Sequence, residues 1–157
     1  MRLFLVQHGD ALPMDVDPER GLSESGKQDV TNVAEFLARR SVQVDQIIHS
    51  GKKRACETAE LFRVCLIGDR YFDERDGIAP LDPVVDVAEE IQNLSKDTMF
   101  VGHLPFVGKL VAHLIVGNEN IGVVSFTPGT VVCLERDGND IWSVAWVVRP
   151  ELLKSLN

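Results

Sequence analysis

Cysteine is scarce in this chain: Cys56, Cys65 and Cys133 are the only three among 157 residues. The number is odd and no pair has CxxC or ligand-like spacing. A disulfide framework and a zinc site are therefore not expected, and the three read as partly buried thiols in a reducing compartment. Positive charge is also in deficit, with 16 Lys plus Arg against 24 Asp plus Glu and a net charge of -8. A surface of that sign repels polyanions, so neither nucleic acid nor an anionic membrane is expected as a partner. A small local cationic pocket stays compatible with it. No apolar run approaches the ~20 residues of a membrane helix. The opening run Met1–Val6 stops at Gln7-His8, too short for the core of a signal peptide, and reads as a strand. A cytoplasmic location is the expectation that follows. No repeat, low-complexity tract or linker interrupts the chain, so residues 1–157 are expected to form a single domain. Apolar residues at 45% and charged residues at 25% are globular values and exclude wholesale disorder.

Apolar periodicity alternates along the chain. Arg2–Gln7 is almost wholly apolar, as in a strand buried on both faces. A turn-rich loop from His8 to Leu22 follows, and Ser23 can N-cap a helix running to about Arg40. Val30, Val33, Ala34 and Leu37 share one face of it. A strand is expected over Val44–Ile48, a helix over Lys52–Phe62, and one short strand plus a loop within Val64–Leu81. Asp82-Pro83 reads as N-cap and first residue of a third helix, and Thr98–Val101 as a third buried strand. Pro105 opens a fourth helix, which Gly117 stops after Val116. The tail changes character. Ile121–Phe126, Val131–Glu135 and Ile141–Val148 read as strands, the last two joined by a hairpin turn at Asp137-Gly138-Asn139-Asp140. Trp142 and Trp146, four apart on one strand, are expected on the same face. The alternation specifies a three-layer α/β/α sandwich with a mixed, mostly parallel sheet, antiparallel near its end.

Ligands of such sheets bind beyond the carboxyl ends of the strands. The first strand ends at Gln7-His8-Gly9-Asp10. The second ends at His49-Ser50-Gly51, before a helix that starts Lys52-Lys53-Arg54, and the third at Gly102-His103. Two histidines, an arginine and two helix N-termini thus meet on one rim. Free N–H groups and a planar guanidinium match the oxygens of a phosphoryl group. No spacing in these segments suits a metal, so metal-free, cofactor-free chemistry is expected. A neutral imidazole beside such a cradle can attack phosphorus, and water can then hydrolyse the phosphohistidine.

These segments resemble the histidine phosphatase superfamily, of phosphoglycerate mutase-like fold. Its Arg-His-Gly signature is met by Gln7-His8-Gly9, and its Ser-x-x-x-Arg-Ala-x-x-Thr-Ala run by Ser50 through Ala59. Its late Gly-His is met by Gly102-His103, and Leu22-Ser23-Glu24-Ser25-Gly26 is similar to its entry into the first helix. The resemblance covers residues 1 to about 116. His8-Gly9-Asp10-Ala11 and Gly102 through Gly108 look most like the short SixA branch, whose members remove phosphate from histidine on phosphocarrier or phosphorelay proteins. The resemblance implies that His8 is the nucleophile and that Arg54 and His103 bind the phosphoryl group, with Gln7 and Gly9 lining the site. It implies a phosphorylated protein as partner. It leaves the oligomeric state open.

Two features bear on the substrate. Little chain is left between Arg54 and His103 for a lid once a helix and a strand are placed there, and an open site suits a side chain of another protein. No convincing general acid stands out among Asp10, Asp76 and Asp82. An alkoxide leaving group gains ~10²–10⁴-fold from such an acid, whereas a phosphorylated imidazole leaves more easily. A general small-molecule phosphomonoesterase is the other enzymatic reading. The departure from the family pattern is Gln7, which can donate a hydrogen bond but carries no charge. It points to a weakened rate, to a His8 that titrates higher than it would beside an arginine, or to a module that only binds phosphoprotein. His49 is a candidate for the rim. Asp10 is expected chiefly to form a turn, Lys52 and Lys53 to be exposed charges, and Asp15–Arg20 to be a solvated loop bordering the site.

Overall fold

A computed structural model of the chain describes residues 1–68 and 70–154. Six strands form one sheet: β1 Arg2–Gln7, β2 Gln46–His49, β3 Tyr71–Glu74, β4 Thr98–Gly102, β5 Val131–Arg136 and β6 Trp142–Val148. Their order is β3-β2-β4-β1-β5-β6. The first four lie parallel, and β5 and β6 are antiparallel to their neighbours. Helices α1 Glu24–Arg39 and α2 Lys53–Leu66 cover one face, and α3 Val85–Gln92 and α4 Phe106–Val116 cover the other. The three-layer sandwich and its mixed sheet are as the sequence specifies.

β1 shows why its residues read as one apolar run. Phe4 and Val6 enter the core under α1 and α2, while Leu3 and Leu5 enter the core under α3 and α4. All four are fully buried. Alternation sends successive side chains to opposite faces, and helices on both faces make every position apolar. α1 presents Val30, Val33, Ala34 and Leu37 to this core, and burying a Val or Leu fully is worth about 1.5–3 kcal/mol. Ser23 starts the helix by accepting a hydrogen bond on Oγ from the N–H of Gly26 at 3.0 Å. Gly117, at φ 68, ends α4 in the left-handed conformation that glycine adopts without penalty.

Three expectations are corrected. Ile121–Phe126 forms no strand: both positions beside β5 are taken, by β1 and β6, and Val123, Val124 and Phe126 pack as irregular chain against the core under α3 and α4. Asp82 does not cap α3. Its carboxylate accepts the N–H of Ala79 at 2.7 Å, closing a tight turn, and the helix begins three residues later. Trp142 and Trp146 lie on opposite faces. Cys133 pairs with Trp146 but Leu134 pairs with Val144, so Ala145 is one residue too many. That bulge flips the parity of the strand. Trp146 packs near Phe4, with ring centroids 5.9 Å apart, and Trp142 joins the core of the other face.

Candidate functional site

The C-terminal ends of β1, β2 and β4 bring His8, Ser50 and His103 together. β1 turns off the sheet at His8, where three hydrogen bonds fix the corner. The N–H of His8 donates to the carbonyl of Gly102 at 3.0 Å, and the N–H of Gly129 is shared by the carbonyls of Gln7 and His8 at 3.0 Å each. The N–H of Gly9 donates to Oγ1 of Thr58 at 3.0 Å, and that hydroxyl donates to the carbonyl of Arg54 at 2.7 Å. The corner is thus tied to α2, the helix that carries Arg54. A side chain at position 9 would meet Val30 Cγ2 at 2.7 Å, so the residue after the histidine has room only for hydrogen.

The ring of His8 is oriented by its own loop. Its Nδ1 lies 2.7 Å from the carbonyl oxygen of Gly9. A carbonyl only accepts, so Nδ1 carries the proton and Nε2 carries the lone pair. Arg54 donates its Nε–H to that Nε2 at 3.3 Å. Burial foremost, then the charges of Arg54 and Arg20, push the His8 pKa down to about 4 against the bond to Gly9, which raises it. Burial outweighs whatever the uncharged Gln7 relaxes, and His8 is neutral at pH 7.

His103 is buried, its ring centroid 5.0 Å from that of His8 and its plane tilted by 55°. Its Nε2 lies 2.5 Å from Oγ of Ser50, the first residue of the motif run. Burial first, then His8, Arg54 and Lys52, lower its pKa to about 3. Gln7 is 8% exposed on the last position of β1. Among the described residues, the buried polar side-chain atoms without a partner include Oε1 of Gln7 and Nδ1 of His103. Buried polar groups are normally satisfied, so these two atoms, at the ends of β1 and β4, stand out beside the His8 corner.

Arg20 is the residue that sequence reading missed. It stands in the loop placed there among solvated charges, at φ 53. Its Nε donates to the carbonyl of Leu12 at 3.2 Å, and its charge lowers the pKa of both His8 and Arg54. The available signal was its position two residues before Leu22, where the chain enters α1. Lys53 is likewise no free charge: its Nζ pairs with Asp17 at 2.9 Å. Lys52 is exposed, as expected, at the N-terminus of α2. His49 turns away from the pocket. Its Nδ1 accepts the N–H of Gly51 at 3.1 Å, and its ring packs on Phe72. Asp10 has a turn-forming part: its Oδ2 accepts from Ser23 Oγ at 2.6 Å, at the entry to α1. Among the described residues no group of three His, Cys, Asp or Glu is arranged to hold a metal ion, and no helix is long and apolar enough to cross a membrane.

The site therefore brings together a neutral imidazole whose Nε2 lone pair faces the Arg54 guanidinium, a second neutral imidazole, and the charge of a second guanidinium, Arg20. Such a set suits a tetrahedral oxyanion. No family model matches the chain. Phosphohistidine phosphatase SixA of Escherichia coli strain K12 is 28% identical over 159 residues, covering 98% of this chain and 97% of that protein. A SixA homologue of Haemophilus influenzae is 30% identical over 151 residues, covering 88% of this chain and 90% of that protein. The solved structure of the protein histidine phosphatase SixA complexed with tungstate superposes with a TM-score of 0.86 at 26% identity, over 98% of this chain and 100% of that one. With sequence and architecture matched along nearly their whole lengths, the chain belongs to the histidine phosphatase superfamily, in its SixA branch.

Proposed function

We propose that this hydrolase removes the phosphoryl group from phosphohistidine on another protein, a phosphocarrier or phosphorelay domain, through a covalent intermediate on His8. The observation that carries the reading is the bond between Nδ1 of His8 and the carbonyl of Gly9. It leaves Nε2 as the nucleophilic atom, on a ring with a pKa of about 4. In the first step Nε2 forms a bond to phosphorus, and the bond from phosphorus to the substrate imidazole breaks. The leaving ring departs as neutral imidazole once its other nitrogen carries a proton. In the second step water attacks phosphorus, the bond to Nε2 breaks, and His8 regains its lone pair.

Arg54 is assigned to the phosphoryl oxygens, with Arg20 as a second guanidinium and His103 as a hydrogen-bonding partner. Gln7 and the backbone at Gly9 line the same pocket. Charge on the equatorial oxygens is met by these cations, so the proposed steps use no metal. Asp10 is engaged by Ser23, and Asp82 by the turn at Ala79. Neither is offered as a general acid, which favours a leaving group that needs little help. The names of the relatives agree with this substrate class. A module that binds phosphoprotein without turnover has Gln7 in its favour; the neutral His8 bonded to Arg54 favours turnover. The test is relative turnover. A higher kcat/KM on a histidine-phosphorylated protein than on small phosphate esters is expected, and the reverse order would overturn the substrate assignment.

A further inference from the structure

We propose that Asp17, Lys53 and Glu57 form a clasp that sets the conformation of the loop between β1 and α1 and so positions Arg20 over the phosphoryl site. The proposal rests on the assignment of Arg20 to that site. Three observations carry it.

Arg20 is one of the non-glycine residues with a left-handed backbone, at φ 53. Such a conformation persists in an arginine only where the surroundings over-determine it, and outliers of this kind collect at working sites. The surroundings here are a dense set of bonds. Oδ2 of Asp17 accepts the N–H of Gly21 at 2.8 Å and Nζ of Lys53 at 2.9 Å. Oδ1 of Asp17 accepts the N–H of Glu19 at 3.1 Å, and its backbone carbonyl accepts the N–H of Arg20 at 2.9 Å. Oε2 of Glu57 accepts the N–H of Leu22 at 2.6 Å. Every residue from Glu19 to Leu22 thus gives its N–H to Asp17 or Glu57. Elsewhere in the loop the N–H groups of Val16 and Asp17 bond the carbonyl of Pro13 at 3.0 Å each, and Ala11 bridges Leu22, with the N–H of Leu12 on the carbonyl of Gly21 at 2.8 Å.

Both clasp anchors stand on α2, one turn apart, and α2 also carries Arg54 and Thr58 at the next positions. One helix face therefore holds the corner of His8, through Thr58, and the neighbouring face holds the corner of Arg20, through Lys53 and Glu57. The two guanidinium groups are referenced to a single rigid element, as a preorganised oxyanion site requires. The three clasp side chains converge on Gly21. A side chain on Gly21 would meet Lys53 Cε at 2.8 Å and carboxylate oxygens of Asp17 and Glu57 at 3.1 Å each. Lys53 first and then the N–H of Gly21 hold the carboxyl of Asp17 down to about 2, so Asp17 is ionised at neutral pH.

The test compares Lys53→Met, Lys53→Arg, Arg20→Ala and the double variant Lys53→Met/Arg20→Ala. Binding of inorganic phosphate and hydrogen exchange across residues 11–23 are measured without turnover, and kcat and KM beside them. A partly exposed ion pair contributes little to global stability, so the melting temperature of Lys53→Met is expected to fall by less than about 4 °C. Exchange in the loop should rise, phosphate affinity should drop about ten-fold, and Lys53→Arg should restore both. In the Arg20→Ala background Lys53→Met should add nothing, because the residue it positions is gone. An equal loss in both backgrounds would show that Lys53 acts through its own charge, and an unchanged loop with unchanged affinity would show that the clasp positions nothing. Either result overturns the proposal. A wild type that binds phosphate yet releases none from any phosphoprotein would count against the proposed function and leave the clasp judged on binding and exchange.

Discussion

Arg54 donates its Nε–H to Nε2 of His8 across 3.3 Å, onto the one ring nitrogen that the carbonyl of Gly9 leaves free. The proposed nucleophile is therefore hydrogen-bonded to a cation. In the proposed reaction a phosphoryl group would draw the guanidinium onto its own oxygens, a stronger charge-assisted partner, and free the lone pair.

This arrangement sets a pH profile. His8 has a pKa of about 4, so the neutral, attacking form prevails above that value and is lost as pH falls through it. kcat should stay level from pH 7 downward and fall near pH 4. Gln7→Arg adds a positive charge beside the ring, which disfavours imidazolium, so its acidic limb should move lower still. A charge-assisted bond in place of a neutral one should also raise its rate by about ten-fold. Unchanged rate and unchanged profile in Gln7→Arg would reject the account of position 7.

The same two histidines make stability depend on pH. Both are lowered by burial, His8 to about 4 and His103 to about 3, from an ordinary value of 6.5. Unfolded chains take up protons on these rings below pH 6.5 while the folded protein does not, so folding is penalised progressively as pH falls. Their contribution is fully present above pH 6.5. The melting temperature should decline between pH 6.5 and 4, and less steeply in His103→Gln, where one of the two rings is removed. Parallel curves for the two proteins would contradict the burial assigned to His103.

Thr58 connects the His8 corner to α2 through a hydroxyl that accepts from Gly9 and donates to Arg54. Thr58→Val keeps the volume and leaves the buried N–H of Gly9 unpaired, at a cost of about 1–3 kcal/mol. Denaturant unfolding should show that loss, kcat should fall with it, and Thr58→Ser should recover most of both. Wild-type stability in Thr58→Val would remove this tie from the account.

Gly26 explains a glycine of the motif by space. A Cβ there would lie 2.2 Å from the carbonyl oxygen of Asp10, a backbone atom that cannot step aside. Gly26→Ala should push α1 away from the loop that follows His8 and destabilise the protein by about 1–3 kcal/mol, despite alanine's better helix propensity. A stabilised Gly26→Ala would mean that the close approach of α1 to Asp10 is not kept in solution.

The parts legible in the sequence are those where one residue answers to its immediate neighbours. Buried strands of a parallel sheet read as apolar runs, and whatever follows them lands on the functional rim. That logic puts His8, Arg54 and His103 on one rim, and the structure brings their side chains together. Arg20 was not legible, because its position depends on Asp17 and Lys53, 36 residues apart, and a loop rich in charge gives no periodicity to follow. The faces of Trp142 and Trp146 were misread because a single bulged residue is invisible to a count of two. Asp82-Pro83 carries a strong capping signature, and a turn to Ala79 captured the carboxylate first. Ile121–Phe126 has strand-like composition with no free edge beside β5 to join.

In the proposed reaction His8 carries the phosphoryl group. A histidine-phosphorylated carrier protein, mixed with the wild type and with His8→Ala, gives the direct measurement: phosphate released over time, with acid-labile phosphate on the peptide containing His8 read by mass spectrometry after rapid quenching. Release by the wild type, a transient phosphoryl mass on the His8 peptide, and neither in His8→Ala are the predicted results. Equal release by His8→Ala, or release with the phosphoryl mass on some other peptide, would contradict the account.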